Sequence, residues 1–247
     1  MRLRRRSLAL AAALALAPLA CSAGPPYASD DPEPTEHGHY EIYFFADGSS
    51  AQAGRDGAAG VDFNYGAGEN LQLTAVLPLA YDDPAHARAS SGVGNVELAA
   101  KYRVLHAQDI GWDVAVFPRV FLPSASRGVG DQHLGVLLPV WLQREIDDGW
   151  TTFGGGGCEW HRGGDARDFC LAGWAVMHEI RKGLTLGAEL VHQGADTRDG
   201  HASTRLGVGI DYDLSEHWHL LAAAGPGLER PAQTGRYAWY VSLELTL

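Results

Sequence analysis

The chain ends in the stretch Tyr237-Ala238-Trp239-Tyr240-Val241-Ser242-Leu243-Glu244-Leu245-Thr246-Leu247. Successive side chains of a β-strand point to opposite faces. One face of this stretch is therefore wholly apolar or aromatic, and it holds Tyr237, Trp239, Val241, Leu243, Leu245 and Leu247. The opposite face holds Tyr240, Ser242, Glu244 and Thr246. This alternation predicts a strand with one side in an apolar medium and the other in a polar one.

The same period of two recurs along the rest of the chain. Leu206, Val208 and Ile210, for example, alternate with Gly207 and Gly209, and no helical periodicity follows residue 24. The alternation predicts strands near 39–46, 58–66, 70–81, 93–105, 111–122, 132–145, 150–160, 168–179, 184–195, 203–213, 218–226 and 236–247.

The lengths of these runs indicate a membrane barrel. Globular strands average about five or six residues, whereas a bilayer crossing takes about nine to eleven tilted ones. The connections alternate between short ones, such as 67–69 and 180–183, and mostly longer polar ones, such as 47–57 and 82–92. That pattern is typical of outer-membrane barrels. The sequence predicts an all-β fold, a closed antiparallel transmembrane β-barrel of about twelve strands in the bacterial outer membrane.

Aromatic residues support this fold and three prolines argue against it. Residues suited to a periplasmic girdle gather near the short turns, namely Tyr65, Tyr102, Trp112, Trp150, Tyr212 and Trp218. Pro78, Pro118 and Pro139 fall inside predicted strands, where each removes a ladder hydrogen bond. Bulges near the rim would accommodate them. A secreted antiparallel sandwich, whose strands also alternate, is the alternative fold.

The first residues have the form of a secretory signal. A basic stretch precedes an apolar run over residues 7–20, and small residues follow up to Ala23, where we expect cleavage. A lipoprotein signal ending at Cys21 is the alternative, although Pro18 stands where such signals usually carry an aliphatic residue. We divide the chain into a signal peptide (1–23), a periplasmic N-terminal segment (24–38) and an outer-membrane barrel (39–247).

The charge balance excludes one class of partner. The chain has 19 Lys and Arg against 30 Asp and Glu, a net charge of −11 at pH 7. Such a chain repels a phosphate backbone, so we expect no nucleic acid partner. The expected partners are outer-membrane lipid, a small-molecule solute and, through the C-terminal strand, the barrel-assembly machinery.

One stretch and several shorter blocks resemble a known family. Pro26-Tyr27-Ala28-Ser29-Asp30-Asp31-Pro32-Glu33-Pro34-Thr35-Glu36-His37-Gly38-His39-Tyr40-Glu41 is similar to the N-terminal signature of the outer-membrane barrels described as "putative MetA-pathway of phenol degradation", often called transporters. The blocks at 62–66, 70–73, 92–97, 187–193 and 212–217 are also similar to that family. The resemblance implies a barrel linked to aromatic-compound degradation and transfers no active site. Leu247 departs from the terminal Phe of many outer-membrane barrels.

In a barrel the polar faces of the strands meet in the lumen. The pore-lining candidates are Asp62, Glu97, Lys101, Arg103, Arg119, Glu189, Arg205, Asp211 and Glu244. Their charges could set up a transverse field and select small polar or anionic solutes, or they could pair and fill a narrow lumen. We expect a narrow passive channel for small solutes, aromatic compounds among them. A closed structural barrel is an alternative.

Two residue groups suggest catalysis or metal binding. His201 and Ser203 resemble the His and Ser of outer-membrane phospholipase, so a lipid hydrolase is an alternative function, but catalysis would need a third, orienting group. His217 and His219, like His37 and His39, have the spacing that puts both rings on one strand face. Because neither pair has a fixed carboxylate or Cys partner, we expect no metal, no cofactor and no enzymatic activity.

Cys158 and Cys170 flank the predicted loop 161–167 at equal distances from its centre. This spacing places them opposite each other on adjacent strands, in an oxidising compartment. We predict a disulfide, which would stabilise the fold by about 3 kcal/mol in the entropic model. Two small buried side chains without a bond are the alternative.

Overall fold

A computed structural model describes residues 26–147, 149–163 and 166–247. The predicted signal peptide, and the alternative lipidation at Cys21, lie outside the described residues. The described residues form fourteen strands and two four-residue helices. In chain order these are β1 (Tyr40–Ser50), β2 (Gly54–Gly68), β3 (Leu71–Pro84), β4 (Ser90–Val93), β5 (Glu97–Leu105), α1 (Ala107–Ile110), β6 (Asp113–Val116), β7 (Arg119–Phe121), β8 (Gly135–Asp147), β9 (Trp150–His161), β10 (Phe169–Arg181), β11 (Leu184–Gln193), β12 (Ser203–Asp213), β13 (Trp218–Pro226), α2 (Pro231–Thr234) and β14 (Tyr237–Thr246). Neither helix, nor any other in this part of the chain, has the length and apolar character for a membrane crossing.

The strands pair into one antiparallel sheet that closes on itself. β1 pairs with β14, with Glu41 opposite Thr246, and thereby joins the two ends of the sheet. β4 and β5 share one place in the ring because both pair with β3, and β6 and β7 share the place between β5 and β8. The ring therefore has twelve strand positions, which confirms the predicted fold class. Closure leaves no open sheet edge, which hydrocarbon would not tolerate.

Proline accounts for one of the two divided positions. Pro118 separates β6 from β7, because it has no N–H to donate to the ladder. Pro78 and Pro139 stay inside β3 and β8, where their carbonyls accept hydrogen bonds from the N–H groups of Gly94 (2.9 Å) and Phe117 (3.1 Å). The strands predicted at 93–105 and 111–122 are thus each split in two, while the other two prolines are accommodated.

The first strands run further than the sequence predicted. β1 and β2 leave only residues 51–53 between them, where we expected a loop over 47–57, and β3 continues to Pro84. The added residues are small or polar. Beyond the bilayer both faces of a hairpin meet water, so pairing continues without an alternation of apolar residues. α1 and α2 likewise lie in connections where no helical periodicity marks them.

The outer surface is apolar and the lumen is polar. On β12, Leu206 and Val208 point outward, whereas Arg205 and Asp211 belong to the lumen face. Large apolar side chains stay exposed on the outside, Leu79 to 64% and Val208 to 60%. In soluble proteins the apolar side chains are buried and the polar ones exposed. The reverse pattern seen here is typical of a barrel whose outer face contacts hydrocarbon.

The two ends of the barrel differ in their connections. Residues 69–70, 182–183 and 214–217 form short turns at the end where β1 begins and β14 finishes. Barrels of this class place their short turns in the periplasm, so we name this the periplasmic end and the opposite one the outer end. Near the outer end a disulfide joins Cys158 of β9 to Cys170 of β10, directly across the ladder.

The outward orientation of β12 can be tested with Val208→Arg. Val208 lies at the middle of its strand with its side chain outside. An arginine at the bilayer midplane should lower the free energy of unfolding by about 2–4 kcal/mol, measured by denaturant titration of the protein refolded in lipid vesicles. Val208→Leu is the matched control and should change it little. Equal stability of the two variants would show that position 208 does not contact hydrocarbon.

Candidate functional site

Residues Pro26–Thr35, which we call the lumen segment, lie inside the barrel. Ser29, Asp31 and Thr35 are almost wholly buried, with exposed fractions of 0%, 3% and 3%. These ten residues fall within the range 24–38 that we expected in the periplasm. Their polar sequence gives no periodicity, and only the partners on the barrel wall explain why the segment is buried.

Lys101 of β5 anchors the middle of the lumen segment. Its ammonium lies 2.9 Å from the Asp30 carboxylate and 3.7 Å from that of Asp31, and it donates a hydrogen bond to the Glu33 carbonyl at 3.2 Å. The Lys101, Asp30 and Asp31 side chains are each at most 10% exposed. A buried charge is costly unless it is paired, so wall and segment hold each other in place.

Glu189 of β11 anchors the start of the segment. Its carboxylate accepts backbone hydrogen bonds from Ser29 (2.6 Å) and Ala28 (3.1 Å). Beside this contact the Tyr27 ring packs against Phe153, with ring centroids 6.1 Å apart. Gly209 of β12 lies against the Tyr27 ring, where an added Cβ would stand 2.6 Å from the hydroxyl oxygen. The segment therefore uses both charge and shape to occupy this side of the lumen.

Side-chain hydrogen bonds hold the periplasmic end of the segment. The Thr35 N–H donates to Gln72 Oε1 at 2.8 Å, and the Thr35 hydroxyl donates to Glu41 Oε2 at 3.0 Å. Gln143 of β8 donates to the Glu33 carboxylate at 3.1 Å. The segment thus crosses the barrel from β1 and β3 to β11 and β12.

Two cavities flank the lumen segment. The periplasmic cavity, of about 940 Å³, is lined by Glu41, Tyr43, Asp62, Asp211 and the Asp30–Pro34 part of the segment, among others. The outer cavity, of about 370 Å³, is lined by Asp47, Asp56, Arg205, Tyr240 and the Pro26–Ala28 part of the segment, among others. Because different parts of the same segment border each cavity, the segment lies between them.

The nine residues expected to line the pore lie on the lumen faces of their strands, but many of them are engaged. Arg119 Nε is 2.9 Å from Glu97 Oε1, and Arg103 is 3.8 Å from Asp113. The Asp62 carboxylate accepts a hydrogen bond from Asn64 at 3.0 Å. Asp62, Lys101, Arg119 and Asp211 line the periplasmic cavity, Glu189 and Arg205 line the outer one, and Glu244 is 1% exposed. Their part in permeation stays a prediction.

Sequence reasoning missed the apolar part of the lumen. Phe117 lies under two cations, 5.2 Å from Lys101 Nζ and 4.7 Å from the Arg119 guanidinium carbon. Trp141 and Phe153 are buried on the lumen faces of β8 and β9. The signal was present in β8, where Leu137, Pro139 and Trp141 make the lumen face as apolar as the outer face. A strand that is apolar on both faces indicates packing on both sides.

The residues considered for catalysis do not meet. No hydrogen bond joins His201 to Ser203 among the described residues, and Ser203 lies opposite Gln193 on the lumen face. On the outer face, His192 Nδ1 lies 2.8 Å from the Thr204 hydroxyl, which donates to Glu229 at 3.0 Å. The oriented Ser and His that a lipid hydrolase needs are not formed by this pair.

One group at the periplasmic end has the donor atoms that a divalent cation prefers. His219 of β13 lies opposite Asp213 of β12, with 2.6 Å between Nδ1 and Oδ1. The ligand atoms of Asp211, Asp213 and His219 all lie within 4.8 Å of one another. His217 precedes β13, in the turn. The His-x-His spacing therefore brings one histidine, not two, to the carboxylates.

A polar cluster fixes the longest outer connection, residues 122–134. Asn95 donates to the carbonyls of Leu122 and Asp131, both at 2.7 Å, and Asp131 N–H donates back to Asn95 at 2.8 Å. Burial alone would raise the pKa of Asp131. Hydrogen bonds from the ring and backbone of His133, with the nearby His161, outweigh burial and hold that pKa below its usual range. The connection is thereby tied to the rim.

Comparisons with known proteins agree with the fold. The crystal structure of the COG4313 outer membrane channel from Pseudomonas putida F1 aligns with a TM-score of 0.68 at 15% identity, covering 87% of this chain and 97% of that one. The KdgM porin in complex with disordered oligogalacturonate aligns with a TM-score of 0.58 at 10% identity, covering 83% and 98%. No curated protein sequence matches. A family model described as "Putative MetA-pathway of phenol degradation" matches residues 40–245, which confirms the resemblance noted in the sequence.

The anchoring role of Lys101 can be tested with Lys101→Met. Removing the ammonium leaves Asp30 and Asp31 buried without their cation, a change that costs about 3–5 kcal/mol in comparable pairs. Labelling of an added Ser29→Cys thiol by a maleimide should accelerate at least about tenfold, the factor that corresponds to 1.4 kcal/mol.

Arg144→Met is the matched control, because Arg144 lies exposed on the outer face of β8, with its guanidinium carbon 5.8 Å from the centroid of the Trp112 ring. Its labelling rate should stay near that of the parent. Equal rates in the two variants would show that Lys101 does not hold the segment.

Proposed function

Since this chain belongs to the family described as "Putative MetA-pathway of phenol degradation", we propose that it is a narrow, passive outer-membrane channel for small solutes, aromatic compounds among them. The observation that carries the proposal is the lumen itself. Two cavities lie within one closed ring of strands, and the ten-residue lumen segment lies between them. A barrel built only as a structural element has no use for this much open volume.

The segment makes the passage narrow. Of the contacts described above for residues 27–33, all are with β5, β8, β9, β11 and β12, through Lys101, Gln143, Phe153, Glu189 and Gly209. These contacts are polar or involve a single ring, so they can exchange for water more readily than a continuous apolar core. Solute passage then requires only a local displacement of the segment, while the strand ladder stays intact.

We infer the class of solute from the volume of the cavities, the residues that line them and the description of the family. A cavity of several hundred cubic ångströms is typical of sites for small organic molecules. The periplasmic cavity combines Tyr43 and Phe117 with polar groups, which suits a single-ring solute with a polar substituent. The family description adds a link to phenol degradation.

Assembly into the outer membrane would use the last strand. β14 keeps one apolar outer face from Tyr237 to Leu245 and pairs with both β1 and β13. This supports a role for the C-terminal strand as the segment that the barrel-assembly machinery recognises.

Conductance in planar lipid bilayers tests the channel directly. The mature protein, refolded and heat-modifiable, should give single-channel currents and should let small solutes swell liposomes. A variant lacking residues 26–35 should conduct several times more, because the two cavities then join along one lumen.

Lys101→Met should give an intermediate conductance, and Arg144→Met, which changes the outer face of β8, should conduct like the parent. A folded barrel without current in both the parent and the deletion variant would remove the channel and favour a closed structural barrel.

A further inference from the structure

The charges of the lumen are unevenly distributed around the ring. β13, β14, β1, β2 and β3 are five consecutive positions, and we call their lumen faces the acidic wall. Among the described residues this wall carries no Lys or Arg. It carries six carboxylates, Glu41, Asp47, Asp56, Asp62, Asp82 and Glu244.

The basic residues lie on the other side of the lumen, and three of them form ion pairs with carboxylates. Lys101, Arg103 and Arg119 lie on β5 and β7, and their partners are Asp30 and Asp31, Asp113 and Glu97, respectively. The lumen segment adds a further carboxylate in Glu33, which Gln143 binds. The lumen as a whole therefore presents negative charge to a passing solute.

The acidic wall borders both cavities. Glu41 and Asp62 line the periplasmic cavity, while Asp47 and Asp56 line the outer one. Of the contacts described for the lumen segment, one reaches a carboxylate of this wall, from Thr35 to Glu41. The wall also carries Tyr43 in the periplasmic cavity and Tyr240 in the outer one, and the Phe45 ring centroid lies 6.4 Å from that of Tyr240. A solute that travels between the cavities past the segment therefore moves along carboxylates and aromatic rings.

We infer that the acidic wall sets the specificity of the channel: it passes small cations, organic ammonium ions included, in preference to carboxylate-bearing solutes. The inference rests on the proposed channel function and specifies the charge of the solutes that the channel passes. Rings of Asp and Glu side chains select cations in other pores, because a negative potential in a confined lumen raises the local concentration of positive solutes. The aromatic rings along the wall favour the same class, since ring faces attract cations. Asp47 and Asp62 are the specificity-determining residues, one in each cavity.

The test is the reversal potential of the refolded mature protein in a planar bilayer under a KCl gradient. Its sign should show that K⁺ permeates more readily than Cl⁻. In the double variant Asp47→Asn with Asp62→Asn, which keeps the side-chain size, the preference should fall by about half or more, since charged side chains that line a pore set its selectivity. Arg205→Gln should keep or strengthen the preference, because it removes a positive charge from the opposite wall of the outer cavity.

The matched control is the double variant Asp109→Asn with Asp199→Asn. It removes the same charge from exposed positions in connections outside the lumen and should leave the reversal potential unchanged. Currents that favour Cl⁻, or that show no preference, would overturn the inference and leave the channel function standing. An equal loss of preference in both double variants would also overturn it. Absence of current in the parent and the segment deletion would remove the channel function and this inference with it.

Discussion

The pairing of β1 with β14 is the constraint on which the rest of the structure depends. Hydrocarbon offers no partner for a backbone N–H or C=O, so a sheet that crosses a bilayer must close. The register that closes the ring also fixes which side chains enter the lumen, because a shift by one residue would exchange the two faces. Glu41 and Glu244 are inside, and Leu243 and Leu245 are outside, for this one reason.

Closure encloses a lumen that must then be filled or left open, and this chain does both. Lys101 and Glu189 face inward from the wall and would be costly if they were buried alone. The lumen segment supplies the missing partners, two carboxylates for Lys101 and two backbone N–H groups for Glu189. On the opposite side of the lumen, the acidic wall borders both cavities. The closed ring, with the segment held against one side of it, thus determines the position of the segment, the shape of the cavities and the sign of the charge in the lumen.

The alternation of residues was enough to predict the fold and the lumen faces. Each of Asp62, Lys101 and Arg205 could be assigned to the polar face of a strand because period-two patterning is a local property of the chain. The end of β1 could not be predicted, because beyond the bilayer both faces of the strand meet water and apolar residues no longer alternate with polar ones. The burial of Ser29 and Asp30 could not be predicted either, because it depends on Lys101 and Glu189, which are about 70 and 160 residues away along the chain. The apolar lumen face of β8, with Leu137 and Trp141 buried, was the local sign that this face is packed.

The placement of the lumen segment inside the ring is the central claim, and native-state amide hydrogen exchange of the folded, unmodified protein tests it most directly. The amides of Ala28, Ser29 and Thr35 donate to Glu189 and Gln72 inside the barrel. Peptides covering residues 26–35 should therefore exchange orders of magnitude more slowly than the same sequence as a free peptide. Exchange of these amides at the free-peptide rate, while the strands stay protected, would contradict the account.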